Sequence, residues 1–262
     1  MPEFDPKKVT VIFVLGGPAG DLLRAEQQRP DSQYGALIAE HIKEGKIVPQ
    51  EVTIGLLRNA MKAALDSAGA SVSGASKLVP ESQREKWSDG KGRFLIDGFP
   101  RKMDQALLFD EQVCPNRFVL FLNADEDTML ERLLERGKTS GRTDDNAESI
   151  KKRFRTFVET SMPVVSHYRE HGQVVEVDSV RAIEEVTQDI RKAVRASFEK
   201  LGEQPDTSIR GTDRRLQAAS LLCTHLARQN TQRASSTEGL FVIRFDRQKC
   251  PPALPPSRLH VL

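Results

Sequence analysis

Apolar positions along this chain gather into short, nearly unbroken runs, separated by longer stretches in which they recur every three or four residues. Three runs are rich in β-branched and aromatic residues, at 9–15 (VTVIFVL), 94–96 (FLI) and 118–122 (FVLFL), with a weaker fourth at 174–177 (VVEV). A strand with one wet face alternates polar and apolar residues. Runs without that alternation predict strands buried on both faces, as in a parallel sheet covered by helices. Helix-like stretches at 22–26, 34–44, 52–65, 124–136, 147–171 and 183–201 lie between or after the runs. Strands alternating with helices predict an α/β fold with right-handed crossovers.

Two stretches break the pattern. Residues 66–92 are small and polar without a sustained period, which predicts a flexible surface insertion. From Pro205 the chain loses acids, gains arginine and ends in KCPPALPPSRLHVL, a composition that predicts a disordered tail over 205–262 after a domain of residues 1–204. The run 240–245 inside that tail reads as an isolated strand.

Composition narrows the class. A chain of 262 residues has room for one large domain, or one domain with an appendage, since domains run roughly 100 to 200 residues. With 38% hydrophobic and 29% charged residues, and only 17 Gly and 14 Pro, it is neither fibrous nor low-complexity throughout. The longest apolar runs fall far short of the roughly 20 residues that cross a bilayer. The N-terminus MPEFDPKK lacks the pattern of a leader. Cys114, Cys223 and Cys250 form neither a disulfide framework nor a metal pair, so a reducing compartment is expected, the cytoplasm and also the nucleus. The net charge of +2 hides an asymmetry, because residues 205–262 hold nine Lys/Arg against four Asp/Glu. Without interleaved aromatics this excess does not make the tail a nucleic-acid binder.

The first run ends in Gly16-Gly17-Pro18, a strand entering a glycine turn. A phosphate-binding loop needs further glycines, so that backbone N–H groups can wrap the phosphates, then a lysine and a Ser/Thr hydroxyl. Here no lysine appears between Lys8 and Lys43, and taken alone the turn reads as a plain turn. His41, His167, His171, His225 and His260 fit no metal-ligand spacing, and Cys114 has no partner, so each reads as structural. Phe154, Phe157 and Val158 fall at helical spacing and read as core.

Six segments in order add a resemblance: AGDLLR (19–24), PDSQYG (30–35), EGKIVP (44–49), FLIDGFPRKMDQ (94–105), ERGKTSGRTDDN (135–146) and SIKKRF (149–154). Together they resemble the nucleoside monophosphate kinases, most of all the UMP/CMP kinase (uridylate kinase) branch as found in fungi, over about residues 9–200 apart from the 66–92 insertion. The resemblance implies a P-loop NTPase-like parallel sheet, a helical monophosphate-binding arm at 19–65 and a short lid at 136–146. It implies transfer of the ATP γ-phosphoryl group to UMP or CMP with Mg²⁺, with AMP as a side substrate, in a monomer serving pyrimidine nucleotide synthesis. By the same resemblance, Arg24 and Arg101 bind the monophosphate, and the backbone of Lys46, Ile47, Val48, Gly98, Phe99 and Pro100 lines its pocket. Arg136, Gly16, Gly17, Pro18 and Arg181 lie on the ATP side, and Arg142 and Arg153 on the transferring group. Asp97 holds Mg²⁺ through water, Gln105 meets the acceptor base, and Asp144 and Asp145 either orient lid arginines or keep the lid soluble. Phosphoryl transfer depends on positioning and on cations, and a planar guanidinium can grip two phosphate oxygens at once, which explains the arginines.

The resemblance also marks a gap. Members of the family follow the first strand with G-P-G-x-G-K-G-T, a helix and a short strand before AGDLLR, whereas here Pro18 runs directly into Ala19. The loop lysine and helix N-terminus that grip ATP are absent, which predicts impaired transfer. One sheet face is expected to lose its cover, leaving apolar surface of the first two runs exposed. The competing reading is a catalytically inactive splice or gene-model variant that still binds UMP or CMP.

Overall fold

The residues of the first run are all apolar or β-branched, so they have no face to offer water, and the computed structural model buries them as β1 (Val9–Leu15) at the centre of a sheet. The structure describes residues 1–16, 21–69, 89–140, 147–201 and 241–243. β1 is paired in parallel on both edges: with β2 (Gly92–Asp97), where Ile12 faces Leu95, and with β3 (Phe118–Asn123), where Val14 faces Leu120. β4 (Val174–Asp178) extends the sheet beyond β3 and β5 (Phe241–Ile243) beyond β2, giving the parallel order β4-β3-β1-β2-β5. The strand expected in isolation at 240–245 is therefore paired, Phe94 lying opposite Phe241. Its partner is remote in sequence, which no local pattern can reveal.

α1 (Asp21–Gln28), α2 (Gly35–Glu44) and α3 (Gln50–Gly69) connect β1 to β2, and α3 runs on into the stretch expected to be a flexible insertion. α4 (Met103–Gln112) links β2 to β3. The sequence pattern missed it because Ala106, Leu107, Leu108 and Phe109 are contiguous, although only Ala106 and Phe109 are fully buried while Leu107 is 54% exposed. α5 (Glu126–Ser140) follows β3 and carries the first residues of the expected lid; 141–146 lie outside the described residues. The single helix expected over 147–171 is divided into α6 (Ala147–Thr156), a π-helical turn (Phe157–Ser161) and α7 (Met162–Glu170), before α8 (Ile183–Lys200) follows β4.

Side chains alternate across each strand. Val11, Phe13 and Leu15 point to one face, with Phe94, Ile96, Val119 and Phe121, and are covered by α3, α4 and α7. Ile12, Val14, Leu95 and Leu120 point to the other, where α8 packs. This second face is not the bare surface expected from the missing helix, for Ile12, Val14 and Leu95 are 1%, 1% and 3% exposed. On the first face Phe13 meets Phe99 and Phe109 edge-on, with ring centroids 5.5 and 5.4 Å apart. Such pairs add to their area burial through the ring quadrupoles.

A half-buried carboxylate fixes the entry to β3. Asp110 accepts hydrogen bonds from the Tyr168 hydroxyl (2.7 Å), the Asn116 backbone N–H (2.9 Å) and the Asn116 side-chain amide (3.0 Å). Burial raises its carboxyl above the usual aspartate range, and the three donors partly offset that rise. Nearby Cys114, fully buried, has its thiol pushed up to about 12 by desolvation first, then by the carboxylates of Asp110 and Asp5.

Two outcomes follow from this packing. Phe109→Ala should cost about 3–5 kcal/mol through its cavity and lost ring contacts, read as a fall in Tm on thermal unfolding. Cys114 should resist iodoacetamide at pH 8 while the protein is folded and react once guanidinium unfolds it, read by mass spectrometry of its peptide.

Candidate functional site

The carboxyl ends of β1 and β2 set the site. Gly98 continues the ladder past β2 by donating its N–H to the Val14 carbonyl (2.9 Å), at a φ of 72° that glycine adopts without strain. The chain then turns through Phe99 and a cis peptide to Pro100, both buried, and delivers Arg101. Arg101 is tied down by its neighbours. Its Nε–H donates to the Gly98 carbonyl (2.9 Å), its backbone N–H donates to Gln105 Oε1 (2.9 Å), and its carbonyl accepts from the Ser161 hydroxyl (3.2 Å).

Arg153 comes from α6, where it is only 8% exposed. The helix is held against the end of α2 at Gly45, whose φ of 69° closes that helix and whose carbonyl accepts from Thr156 Oγ1 (3.2 Å). The π-helical turn then brings Phe157 and Ser161 toward Arg101; one extra residue per turn re-aims side chains in a way an α-helix could not. The result is an open cleft lined by Leu15, Gly45, Gly98, Arg101, Arg153 and Ser161. Two guanidinium groups lining one cleft are chemically suited to an anion with several oxygens.

A second, mostly apolar cleft adjoins it through Phe157 and is lined by Gly16, Phe121, Met129, Phe154 and Met162. At its floor β1 passes so close to β3 that a Cβ on Gly16 would lie 2.4 Å from the Leu122 carbonyl oxygen, so only glycine fits there. Phe154 and Phe157, read from the sequence as core, line this cleft.

Of the residues singled out from the sequence, Gly98, Arg101 and Arg153 meet in the first cleft, with Phe99 and Pro100 beneath. Asp97 is half-buried at the end of β2, in register with Val14. Gln105, 2% exposed, has its oxygen on Arg101 N–H and its amide donating to the Val48 carbonyl (3.4 Å), so it fastens the arm to the arginine turn. Val48 is buried and Ile47 half-buried. Lys46 points outward, 66% exposed, onto the Glu44 carboxylate (2.5 Å), whose hydrogen bond raises the lysine's affinity for its proton. Arg181 is bonded to Asp189 and lies 3.6 Å from Asp178 beside α8, so its side chain is engaged away from the arginine cleft. Arg24 and Arg136 are placed on α1 and α5 by their backbone alone. Gly17, Pro18, Arg142, Asp144 and Asp145 lie outside the described residues. Gly45, Thr156 and Ser161 were missed, having no local signal; they matter only because the fold brings α2 and α6 together.

Among the described residues no group of three or more His, Cys, Asp or Glu could hold a metal ion, and no helix is long and apolar enough to cross a membrane.

Known proteins resemble this chain closely. The adenylate kinase family profile matches residues 75–173. A UMP-CMP kinase of Lentinula edodes is 53% identical over 208 residues, covering 71% of this chain and 86% of its own length. A uridylate kinase of Saccharomyces cerevisiae is 49% identical over 218 residues, covering 75% of this chain and 96% of its own, and one of Schizosaccharomyces pombe is 43% identical over 206, covering 70% and 96%. Since 71% of 262 residues is fewer than 208, the first alignment includes positions at which this chain has no residue.

The role of Gln105 can be checked directly. Gln105→Leu keeps the volume but leaves the Arg101 N–H and Val48 carbonyl without this partner, which should cost about 1–3 kcal/mol in thermal or urea unfolding. A change under a few tenths would mean that the amide is not the link between arm and turn.

Proposed function

The chain belongs to the UMP/CMP kinase branch of the nucleoside monophosphate kinase family, and on that premise we propose that it takes UMP or CMP as phosphoryl acceptor and ATP as donor, with transfer slowed by the missing phosphate-binding loop. The observation that carries the acceptor half is the pairing of Arg101 and Arg153 in one cleft at the carboxyl ends of β1 and β2. A phosphate monoester offers the oxygens that two guanidinium forks can grip, and the backbone bonds on Arg101 hold its fork in place before the ligand arrives. The base would then lie toward Gln105 and Val48. A pyrimidine or adenine edge can meet the amide's remaining donor and lone pair, so AMP is a candidate side substrate.

In the reaction an oxygen of the acceptor phosphate attacks Pγ of ATP, and ADP leaves with the bridging oxygen. Arg153, with Arg136 and Arg142 by family resemblance, would balance charge on the transferring group. Arg24 would share the acceptor phosphate. The half-buried carboxylate of Asp97 suits Mg²⁺, which keeps most of its waters and takes few protein ligands. Such an ion would neutralise phosphate charge.

The donor half is deficient in the sequence itself, which passes from Gly16-Gly17-Pro18 to AGDLLR with no lysine before Lys43. Losing a single preorganised donor elsewhere costs about 2.7–4 kcal/mol, a factor of roughly 10² to 10³ in rate. A noncatalytic UMP- or CMP-binding protein is the limit of that loss.

Two measurements separate the halves. Millimolar UMP without ATP should raise Tm by mass action, and Arg153→Ala should remove the rise; no shift in the unmodified chain would sink the acceptor assignment. In a coupled assay with Mg-ATP and UMP, inserting the relatives' loop segment between Pro18 and Ala19 should raise turnover by roughly 10² or more. Equal rates with and without the insert would show that the loop is not what limits transfer.

A further inference from the structure

Connections between parallel strands have a hand. From β2 the chain moves toward β4 to form β3, crossing the face that α4 covers, and from β3 it moves one place further to β4 with α7 over the same face. From β4 it sets out with α8 on the opposite face and arrives at β5, moving the other way. Reversing both direction and face preserves the hand, so these three crossovers agree. The crossover from β1 to β2 does not, because it moves toward β5 while its helix α3 packs on the face of α4 and α7. Parallel crossovers are right-handed in about 98% of cases, so the three that agree are the right-handed ones and the first is the exception.

A helix on the α8 face and a strand beyond β2, placed between Gly16 and Asp21, would remove the exception. β1 would reach that outer slot over the α8 face. α1 to α3 would then lead back one place to β2 over the other face, and both moves would be right-handed. A helix and a strand are what the family resemblance puts at that point of the sequence. The slot is the one that β5 occupies, with Phe94 opposite Phe241 and Ile96 opposite Ile243. β5 lies beyond β2, at the opposite edge of the sheet from β4.

We propose that the outer edge of β2 is a strand-docking slot which in this chain is filled by β5, Phe241–Ile243 taking the place of the strand missing after Pro18. An open parallel edge presents unpaired N–H and C=O groups that will take an extended segment of either origin, because main-chain hydrogen bonds are indifferent to where in the chain the partner lies. β5 is then part of the folded sheet, and one slot serves two alternative occupants.

Amide hydrogen exchange on the full chain tests this. At least one amide of Phe241, Val242 and Ile243 should exchange on the order of tenfold or more slowly than in a free peptide, and Val242→Pro with Ile243→Pro should remove protection at the edge of β2 and lower Tm. Successive prolines are needed because a parallel ladder uses the N–H of alternate residues. In a chain carrying the relatives' segment between Pro18 and Ala19, the same prolines should leave β2 protection and Tm unchanged, the slot being taken. Free-peptide exchange of all three amides in the unmodified chain would overturn the proposal without any variant having to fold. Equal sensitivity to proline with and without the insert would overturn the sharing of the slot.

Discussion

A strand hydrogen-bonded on both edges and buried on both faces has almost no freedom, and β1 is that strand. Every residue from Val9 to Leu15 except Thr10 is buried, with β2 on one side and β3 on the other. Its carboxyl end is equally constrained, since Gly16 passes against the Leu122 carbonyl with no room for a side chain. The clefts open where this rigid strand stops, and both take lining residues from its last turn. Function in parallel sheets gathers at the carboxyl ends of strands for this reason: the ladder fixes the backbone there, while the loops beyond it are free to carry chemistry.

The two arginines are positioned by segments far apart in the chain. Arg101 is fixed by Gly98, Gln105 and Ser161, which belong to three different segments, and Arg153 sits where α6 leans on the end of α2 through Gly45 and Thr156. Charge in such a cleft is worth more than charge on the surface, because a guanidinium that need not reorganise spends no entropy when an anion arrives. Lys46 and Arg181 illustrate the contrast. Both are cations near the same end of the sheet, yet each is turned outward onto carboxylates of its own neighbourhood.

The site is therefore uneven. Arg101 and Arg153 rest on elements packed around β1 and β2, whereas the sequence after Gly16-Gly17-Pro18 carries no lysine before Lys43. The topology is unusual at the same point, with a crossover from β1 to β2 of the opposite hand to the others and β5 paired beyond β2. A sheet tolerates such rearrangement because its ladder asks only for an extended backbone, while phosphate binding asks for particular groups at particular places.

The runs of apolar residues determined the strands and the α/β class by themselves, because burial on both faces leaves its mark residue by residue. The motifs around Arg101 and Arg153 likewise announced the family, since each is a local arrangement of a turn and its neighbours. Three things were left to tertiary structure. α4 has a contiguous apolar run whose inward face is chosen only by the sheet above it. The pairing of β5 with β2, like the meeting of Gly45, Thr156 and Ser161 around the arginines, joins segments far apart in sequence, so nothing in either segment encodes the other. The hand of each crossover, with the exception between β1 and β2, is likewise a property of the assembled fold that no single stretch of sequence carries.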